Sequence, residues 1–360
     1  MKNATVLLLL LLALAASVAA SFTLGRYPLP LADMGGYLLH ALGLGPELGP
    51  ELGPELGPAL APNLGPDLAA GAEEALRRTG VLLVDIRLPR ILAALLVGSA
   101  LAVSGATFQA MFINPLVSPG LLGVLAGASF GAALGMLLST RWVAVQGFAF
   151  AFGLIAVGLS LLLARLYKGD KLLLLILSGV ISGALFTALL SVIKYLADPY
   201  DQLPAIVYWL MGGFSMISLG NLAPLAPGII LGIAVILFLG KYLNVLTMGD
   251  EEARALGLRV RGIRLTFIVA ATLLGSMTVA IGGIIGWVGL VIPHMGRMLV
   301  GPDNRVLLPC CALMGALFLL VVDNVSRQLF TVEVPLGILT SLLGIPAFAA
   351  VLRVARKGWS

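Results

Sequence analysis

Long apolar segments recur from one end of this chain to the other, and they constrain the fold more than any other feature. Most approach the length of about 20 residues that a helix needs to cross a bilayer core of about 30 Å. Only 11% of the residues are charged, whereas soluble domains average about 25%. A membrane β-barrel would instead show alternating segments of about ten residues, which the sequence lacks. The sequence therefore predicts an all-α integral membrane protein.

We predict about ten transmembrane helices. Their approximate bounds are Val6–Leu24, Ile91–Phe112, Leu121–Leu138, Val143–Ala164, Leu172–Leu196, Leu222–Leu239, Leu265–Ile285, Trp287–Val300, Val306–Val322 and Pro335–Val351. The eighth is short and contains Pro293, His294 and Arg297. The 44 glycines fit this class of protein, because small residues allow membrane helices to approach closely.

The chain divides into a first helix (residues 1–24), an outer loop (25–84) and a polytopic domain (85–360). The first segment also resembles a cleavable signal peptide, with Lys2 before a leucine run and small residues from Ala16 to Ala20. We favour an uncleaved helix, and both interpretations place Gly25 outside. In the loop, Gly45–Pro58 repeats Gly-Pro-Glu-Leu, and proline at every fourth position prevents a continuous helix. We expect a solvated external loop.

The distribution of basic residues orients the chain. With the N-terminus inside, ten spans place both termini in the cytoplasm. This arrangement puts 14 of the 22 Lys and Arg residues on the cytoplasmic side and 8 outside. Because cytoplasmic loops carry the excess of Lys and Arg, we prefer this topology to its inverse.

A weak internal repeat is visible at an offset of 178 residues. It pairs Gly105 with Gly283, Pro115 with Pro293 and Gly123 with Gly301. The two copies would be helices 2–5 and 7–10. They start five spans apart, so they would cross the membrane in opposite directions. Inverted repeats of this kind are common in transporters, and the transport pathway lies at their interface.

The sequence shows no constellation that predicts catalysis or metal binding. Cys310 and Cys311 are adjacent inside an apolar run, and His40 and His294 have no spaced partners. No Gly-x-x-x-x-Gly-Lys-Ser/Thr loop is present to hold ATP phosphates, and acids inside the spans are too scarce for a proton relay. The basic residues are spread among loops, which argues against nucleic-acid binding. We therefore expect a transport protein whose energy source lies elsewhere.

One predicted cytoplasmic segment has the pattern of a short helix. Its residues are Gly249, Asp250, Glu251, Glu252, Ala253, Arg254, Ala255, Leu256 and Gly257. Asp250 suits the N-cap, and the two glutamates suit the positive first turn. Arg254 and Gly257 suit the C-terminal end. An isolated helix this short is not stable in water, so it either docks on a partner or lies on the surface of the bundle.

Arginines at the outer edge run against the topological trend. Arg87 and Arg90 precede the second span, and Arg327 follows the ninth. They either extend toward lipid headgroups or form a basic surface for an acidic partner. For Arg327, an ion pair with Asp323 four residues earlier is the simpler alternative.

Several of these segments together resemble the permease family of ABC importers for iron chelates, haem and cobalamin. The resemblance runs from about Asp85 to the C-terminus, whereas the outer loop does not match and looks like an insertion. The matching segments are Arg87–Arg90, Ser104–Gly105, Gln109, Asn114–Leu116, Pro119–Gly123, Gly249–Gly257, Gly289–His294, Arg305–Pro309 and Pro335–Thr340.

The resemblance implies a homodimer in the bacterial inner membrane. Two separate ATP-binding cassette subunits would use ATP and Mg²⁺, and a periplasmic binding protein would deliver an iron chelate or cobalamin. It also implies that Gly249–Gly257 couples to the ATPase and that the three outer arginines pair with glutamates of the binding protein. The alternative from the residues alone is an ion-coupled secondary transporter.

The resemblance further implies residues along the pathway. Asn114, Pro115 and Leu116 would form one cytoplasmic gate, and Lys168 and Gly169 a second, although the small hydroxyl residues of the cobalamin permease are missing there. Ser178 and Ser182 would line the pathway on the fifth helix. The neighbouring Gly179 and Gly183 also fit plain small-residue packing, so both interpretations of the serines stay open.

Overall fold

The computed structural model describes residues 2–25, 27, 29–41, 74, 76–139, 141–169 and 171–356, and the regular elements in this part of the chain are helical. The α-helices are α1 Lys2–Thr23, α2 Leu31–Ala41, α3 Leu88–Met111, α4 Val124–Leu138, α5 Trp142–Leu166, α6 Lys171–Leu196, α7 Gln202–Leu210, α8 Leu219–Leu222, α9 Ala226–Leu246, α10 Asp250–Ala255, α11 Val260–Gly282, α12 Val288–Val300, α13 Asn304–Gln328 and α14 Leu336–Arg356. The all-α prediction is confirmed.

The ten predicted membrane segments each correspond to one apolar helix. By length and composition, 7 helices within the described residues can cross a membrane, and α4, α12 and the start of α14 are shorter apolar helices. The 13 residues of α12 rise about 20 Å, less than a hydrocarbon core of about 30 Å. Short non-helical stretches precede both α4 and α12. The one before α4 includes a 3-10 turn at Pro119–Leu122.

The helix lengths follow a similar order in two groups of four helices, α3 to α6 and α11 to α14. The helices α3 to α6 have 24, 15, 25 and 26 residues, and α11 to α14 have 23, 13, 25 and 21. In both quartets the second helix is the short one. The offset of 178 residues is wrong, however: Gly105 lies inside α3, whereas Gly283 follows the end of α11. Equivalent helices instead start about 162 to 172 residues apart, from α5–α13 (142 to 304) to α3–α11 (88 to 260).

The helix that contains α3 begins earlier than predicted. Helical structure runs from Leu76 through a π-helical segment, Val81–Arg87, into α3. Pro89 explains the wide turn in part, because proline has no N–H to donate to the residue four positions earlier, and Leu88 donates to Leu83 five positions earlier. The described part of the outer loop also contains α2. The Gly45–Pro58 repeat lies outside the described residues.

Close backbone contacts hold α3 at the centre of the bundle. A Cβ atom added at Gly98 would overlap the carbonyl oxygen of Gly315 in α13, and one added at Gly105 would overlap that of Gly289 in α12. Such contacts form only where neither helix carries a side chain at the crossing point. The first quartet is therefore joined to the second through glycine.

The first helix packs on the outside of this bundle. Asn324 of α13 donates a hydrogen bond to the Ser21 hydroxyl at 2.6 Å, and hydrophobic side chains of α1, among them Val18 and Phe22, pack against the main core. These contacts place α1 in the bundle. Its retention in the mature protein stays a prediction.

The end of α9 and the start of α13, which the topology predicts on the cytoplasmic side, lie at the same end of the bundle. Asn244, at the end of α9, donates to Asp303 at 2.6 Å and accepts from the backbone N–H of Asn304 at the start of α13. At the other end, Arg87 donates to the carbonyl oxygen of Phe22, and Arg90 pairs with Glu333. The relative sidedness is thus as predicted. The assignment of one end to the cytoplasm stays a prediction.

We predict that Gly105→Ala lowers the stability of the protein, because the added methyl group overlaps backbone of α12. Overpacking of this kind costs about 1–3 kcal/mol. The matched control is Gly158→Ala in α5, where an added Cβ meets nothing within 4 Å. Thermal unfolding in detergent, followed by size-exclusion chromatography, measures both variants. Equal midpoints for the two would contradict the close contact.

Candidate functional site

The segment Gly249–Gly257 forms a short helix with a well-defined end. Gly257 has a φ of +79°, and its N–H donates to the carbonyl of Arg254, while the N–H of Leu258 donates to that of Ala253. This pair of bonds is the Schellman motif. The predicted role of Gly257 at the C-terminal end is confirmed.

Asp250 has a different role from the one predicted. The N-cap is Gly249, without a side-chain cap, and Asp250 is the first helical residue. Its carboxylate accepts two hydrogen bonds from Arg264 of α11, at 2.7 and 3.2 Å. A bidentate pair of this kind is geometrically specific. The N-cap prediction was therefore wrong, and Asp250 ties α10 to the bundle.

The rest of α10 presents one buried face and one exposed face. Ala253 is fully buried against the core, whereas Glu251, Glu252 and Arg254 are exposed. Leu256 is 64% exposed. Leu256 is the C-cap residue, so an exposed apolar side chain follows the exposed charged residues at the end of α10.

One predicted gate lies next to this helix. Lys168 and Gly169, in the turn between α5 and α6, line a groove of about 550 Å³ together with Asp250 and Arg254. We call this space the basic groove. Its walls are completed by Leu161, Ala164, Arg165, Tyr167, Leu172, Leu175, Val260, Arg261, Arg264, Leu265 and Ile268. The structure thus brings the Lys168–Gly169 turn and the α10 segment together.

The other predicted gate is a separate exposed turn. Asn114 accepts a hydrogen bond from the N–H of Leu116 at 2.9 Å, and Ile113 before it has a φ of +48°. Ile113 and Leu116 are 64% and 56% exposed, and Pro115 is exposed as well. None of these residues lines the basic groove. Their role as a gate stays a prediction.

Ser178 and Ser182 do not lie on an open pathway in this structure. Both are buried, and Ser182 donates to the carbonyl of Ala156 in α5 at 2.8 Å. A Cβ added at Gly179 between them would overlap the carbonyl of Leu121. Small-residue packing therefore accounts for this stripe, against the predicted placement. The exposed face of α6 carries Leu173, Leu177, Val180, Ile181, Leu185 and Val192 instead.

Two of the outer arginines, Arg90 and Arg327, belong to a buried ionic cluster. Arg90 pairs with Asp323 of α13 at 2.9 Å and with Glu333, in the loop before α14, also at 2.9 Å. Arg327 pairs with Asp323 at 3.2 Å, as the alternative from its spacing predicted. The side chain of Asp323 is 0% exposed and that of Glu333 is 29% exposed. Two positive and two negative charges thus compensate each other.

Arg87 is held by backbone instead of by an acid. It is 3% exposed and donates to the carbonyl oxygens of Phe22 and Tyr27, which lie at and after the end of α1. All three arginines therefore have partners within the chain. Their predicted pairing with a binding protein stays a prediction, and it would require some of these bonds to be exchanged.

We did not predict the structural roles of three further residues from the sequence. Glu333 is one, although it is an acid in an outer loop opposite surplus arginines. Gln109 is another: it donates to the carbonyl of Leu290 at 3.2 Å and accepts from Arg297, which joins α3 to α12. Trp287 has a φ of +67°, a conformation that non-glycine residues rarely adopt, and no signal in the sequence marks it.

The described residues contain no group of three or more His, Cys, Asp or Glu side chains that could hold a metal ion.

The profile of the FecCD transport family matches residues 60–354. This chain belongs to the FecCD transport family. Because the match extends from the outer loop into α14, it covers both quartets, α10 and the ionic cluster.

Relatives in this family are named for different cargoes. The molybdate import system permease protein MolB of Haemophilus influenzae is 40% identical over 76% of this chain and 81% of its own length. A probable iron chelatin transport permease of Helicobacter pylori is 37% identical over 78% and 84%. The vitamin B12 permease BtuC of Salmonella paratyphi A is 41% identical over 74% and 82%.

Solved structures share the architecture. One, described as an inward-facing conformation of a metal-chelate type ABC transporter, is 35% identical, has a TM-score of 0.79 and covers 97% of this chain and 99% of its own. PsaBC from Streptococcus pneumoniae, at 18% identity and a TM-score of 0.54, covers 76% and 92% and shares the fold. The FecCD protein is thus a multi-pass ABC transporter permease. The alternative of an ion-coupled secondary transporter is wrong.

We predict that Arg90→Gln strongly destabilises the FecCD protein, because it removes a charge partner from buried Asp323 and from Glu333. Breaking a buried pair costs about 3–5 kcal/mol. Arg78→Gln is the control, since the Arg78–Glu74 pair is largely exposed and such pairs contribute about 0–1 kcal/mol. Denaturant unfolding of the purified protein compares the two. A similar loss in both variants would show that the cluster does not stabilise the bundle.

Proposed function

We propose that this FecCD permease is the membrane subunit of an ATP-driven importer that carries a metal-containing compound into the cytoplasm. The observation that carries the proposal is α10, a helix of 6 residues that is too short to be stable alone. Its backbone bonds and the Asp250–Arg264 pair nevertheless fix its position. A rigid exposed element of this kind suits the transmission of motion from a partner.

The link from α10 into the membrane runs through Arg264. Asp250 begins α10, and Arg264 lies in the second turn of α11, so a displacement of α10 pulls on α11 through two hydrogen bonds. Most of α11 is buried against other helices of the bundle. ATP binding to two ATPase subunits beneath the permease would therefore move the bundle as a packed unit rather than one loop.

A second copy of the chain would complete the pathway. The apolar face of α6, with Leu177, Val180 and Ile181 at 50%, 60% and 56% exposure, is left uncovered within one chain. The face of α14 that carries Leu342 and Leu343 is similarly exposed. In the homodimer that we propose, these faces line the interface and the central cavity, and rocking of the two copies alternates the side to which that cavity opens.

A binding protein would deliver the cargo at the opposite end. Its carboxylates would pair with Arg87, Arg90 and Arg327, and such pairs at the edge of an interface mainly steer and align the partners. Glu333 is the partner of Arg90 that an incoming carboxylate could replace, because it is partly exposed while Asp323 is not. We place this end in the periplasm and both termini in the cytoplasm, following the basic residues of the loops.

We predict that Leu256→Asp uncouples the permease from its ATPase without unfolding it, because Leu256 is exposed and contributes little to the core. Loss of an interface anchor costs about 2 kcal/mol or more, which corresponds to a loss of about thirtyfold or more in affinity. Co-purification with the ATPase and transport-dependent ATP hydrolysis are the measurements. The control is Val143→Asp, also at a residue 64% exposed, but at the start of α5 near the other end.

Full co-purification of the Leu256→Asp variant with an active ATPase would refute the coupling role of α10. Uptake that persists without ATP but collapses with the proton gradient would refute the importer mechanism itself. The Val143→Asp control shows whether a loss of co-purification in the Leu256→Asp variant comes from general damage to the bundle.

For the cargo, we propose a chemical class and not a single compound. The similarities to iron chelatin, vitamin B12 and molybdate permeases lie between 37% and 41% identity, so they do not separate the three. We favour an iron chelate or cobalamin. Uptake of radiolabelled ferric siderophore, haem, cobalamin and molybdate by proteoliposomes that contain the complete transporter tests this choice. Exclusive molybdate uptake would contradict it.

A further inference from the structure

The basic groove carries more positive charge than its own acid can balance. Five basic side chains line it (Arg165, Lys168, Arg254, Arg261 and Arg264), against one acid, Asp250. Asp250 already pairs with Arg264 at 2.7 Å and with Arg254 at 3.6 Å. No acid in the described part of the chain lies within 4.0 Å of the charged groups of Arg165, Lys168 or Arg261. A surplus of positive charge therefore faces the groove.

The groove lies at the ends of helices that are long and apolar enough to cross a membrane. Arg165 is in the last turn of α5, and Arg261 is in the first turn of α11. Lys168 lies in the turn just beyond α5. Basic residues at the ends of apolar helices occupy the headgroup region of a membrane.

The remaining wall of the groove is apolar. Leu161, Leu172, Leu175, Leu265 and Ile268 line it from three helices. The same two helices, α5 and α11, also carry the exposed apolar side chains of Leu162, Leu166 and Val269. A ligand that fills this space needs an anionic head and a hydrocarbon body, because a small anion would leave the apolar wall uncovered.

We propose that the basic groove binds an anionic phospholipid, with its phosphate group among Arg165, Lys168 and Arg261 and an acyl chain along Leu265 and Ile268. Basic pockets between membrane helices hold anionic headgroups by charge and hydrogen bonding, and each buried CH₂ group of an acyl chain adds to the affinity. The bound lipid lies between the Lys168–Gly169 turn and α10. The lipid composition of the bilayer would therefore affect the Lys168–Gly169 turn and α10.

Native mass spectrometry of the purified full chain in mixed detergent micelles tests the site. The probes are phosphatidylglycerol and phosphatidylcholine of the same acyl composition. We expect the wild type to retain phosphatidylglycerol selectively. The variant Arg165→Gln/Lys168→Gln/Arg261→Gln should bind it at least about tenfold more weakly, since each basic residue contributes about 1 kcal/mol to anionic lipid binding.

The matched control is Lys2→Gln/Lys241→Gln/Arg259→Gln, which removes three charges at the same predicted side but outside the groove. Equal losses in the two triple variants would overturn the proposal, because they would indicate general surface charge. Displacement of the lipid by excess inorganic phosphate alone would overturn it too, because it would indicate a free-anion site.

A second measurement does not depend on how the variants fold. Phosphatidylglycerol with a photoreactive acyl chain is crosslinked to the wild-type chain, and the labelled peptides are identified. We expect labels within residues 161–175 and 260–268. Labels spread evenly over the exposed faces of the bundle would refute a specific site.

Discussion

The close approach of α3 to α12 and α13 is the contact on which the rest of the bundle depends. Burying apolar surface gives helices little reason to associate inside a bilayer, so backbone packing has to supply the attraction. The pairs Gly98–Gly315 and Gly105–Gly289 allow it. The same two interfaces also carry polar contacts toward their ends, since Arg90 of α3 reaches Asp323 of α13 and Gln109 of α3 reaches the backbone of α12. The placement of α3 against these two helices therefore determines both the glycine contacts and the polar contacts.

Hydropathy was enough to predict the order of the apolar helices, because each helix in a bilayer has to satisfy its own backbone hydrogen bonds. Seven of these helices are long enough to span a membrane, and three are shorter. It could not predict how the helices begin and end. The wide turn before α3 depends on the missing N–H of Pro89 and on contacts of Arg87 with the end of α1. The repeat was placed at the wrong offset because glycine and proline recur in this sequence for local reasons. Gly105 lies inside a helix whereas Gly283 follows one, and Pro115 lies in a turn whereas Pro293 lies inside a helix.

In the candidate site, too, local features were predictable from the sequence and long-range contacts were not. Gly257 was predictable, since a helix end is determined by neighbouring residues. The partner of Asp250 was not, because Arg264 lies 14 residues away on another helix, and Glu333 lies 243 residues from Arg90. The serines of α6 were misplaced because that helix is apolar on nearly every side, so its sequence does not distinguish the face against α4 and α5 from the face left exposed.

The two ends of the bundle differ in how their charges are balanced, and this difference constrains what each end can do. At the end that holds Arg90, each basic group of the cluster has a partner inside the chain, so a partner carboxylate gains affinity only by replacing one already present. Asp323 is too buried to leave, whereas Glu333 sits in a loop and is partly exposed. At the end that holds the basic groove, positive charge among the described residues remains in excess around Arg165, Lys168 and Arg261. An anion that binds there displaces none of the described acids, whereas a carboxylate that binds at the other end has to replace one.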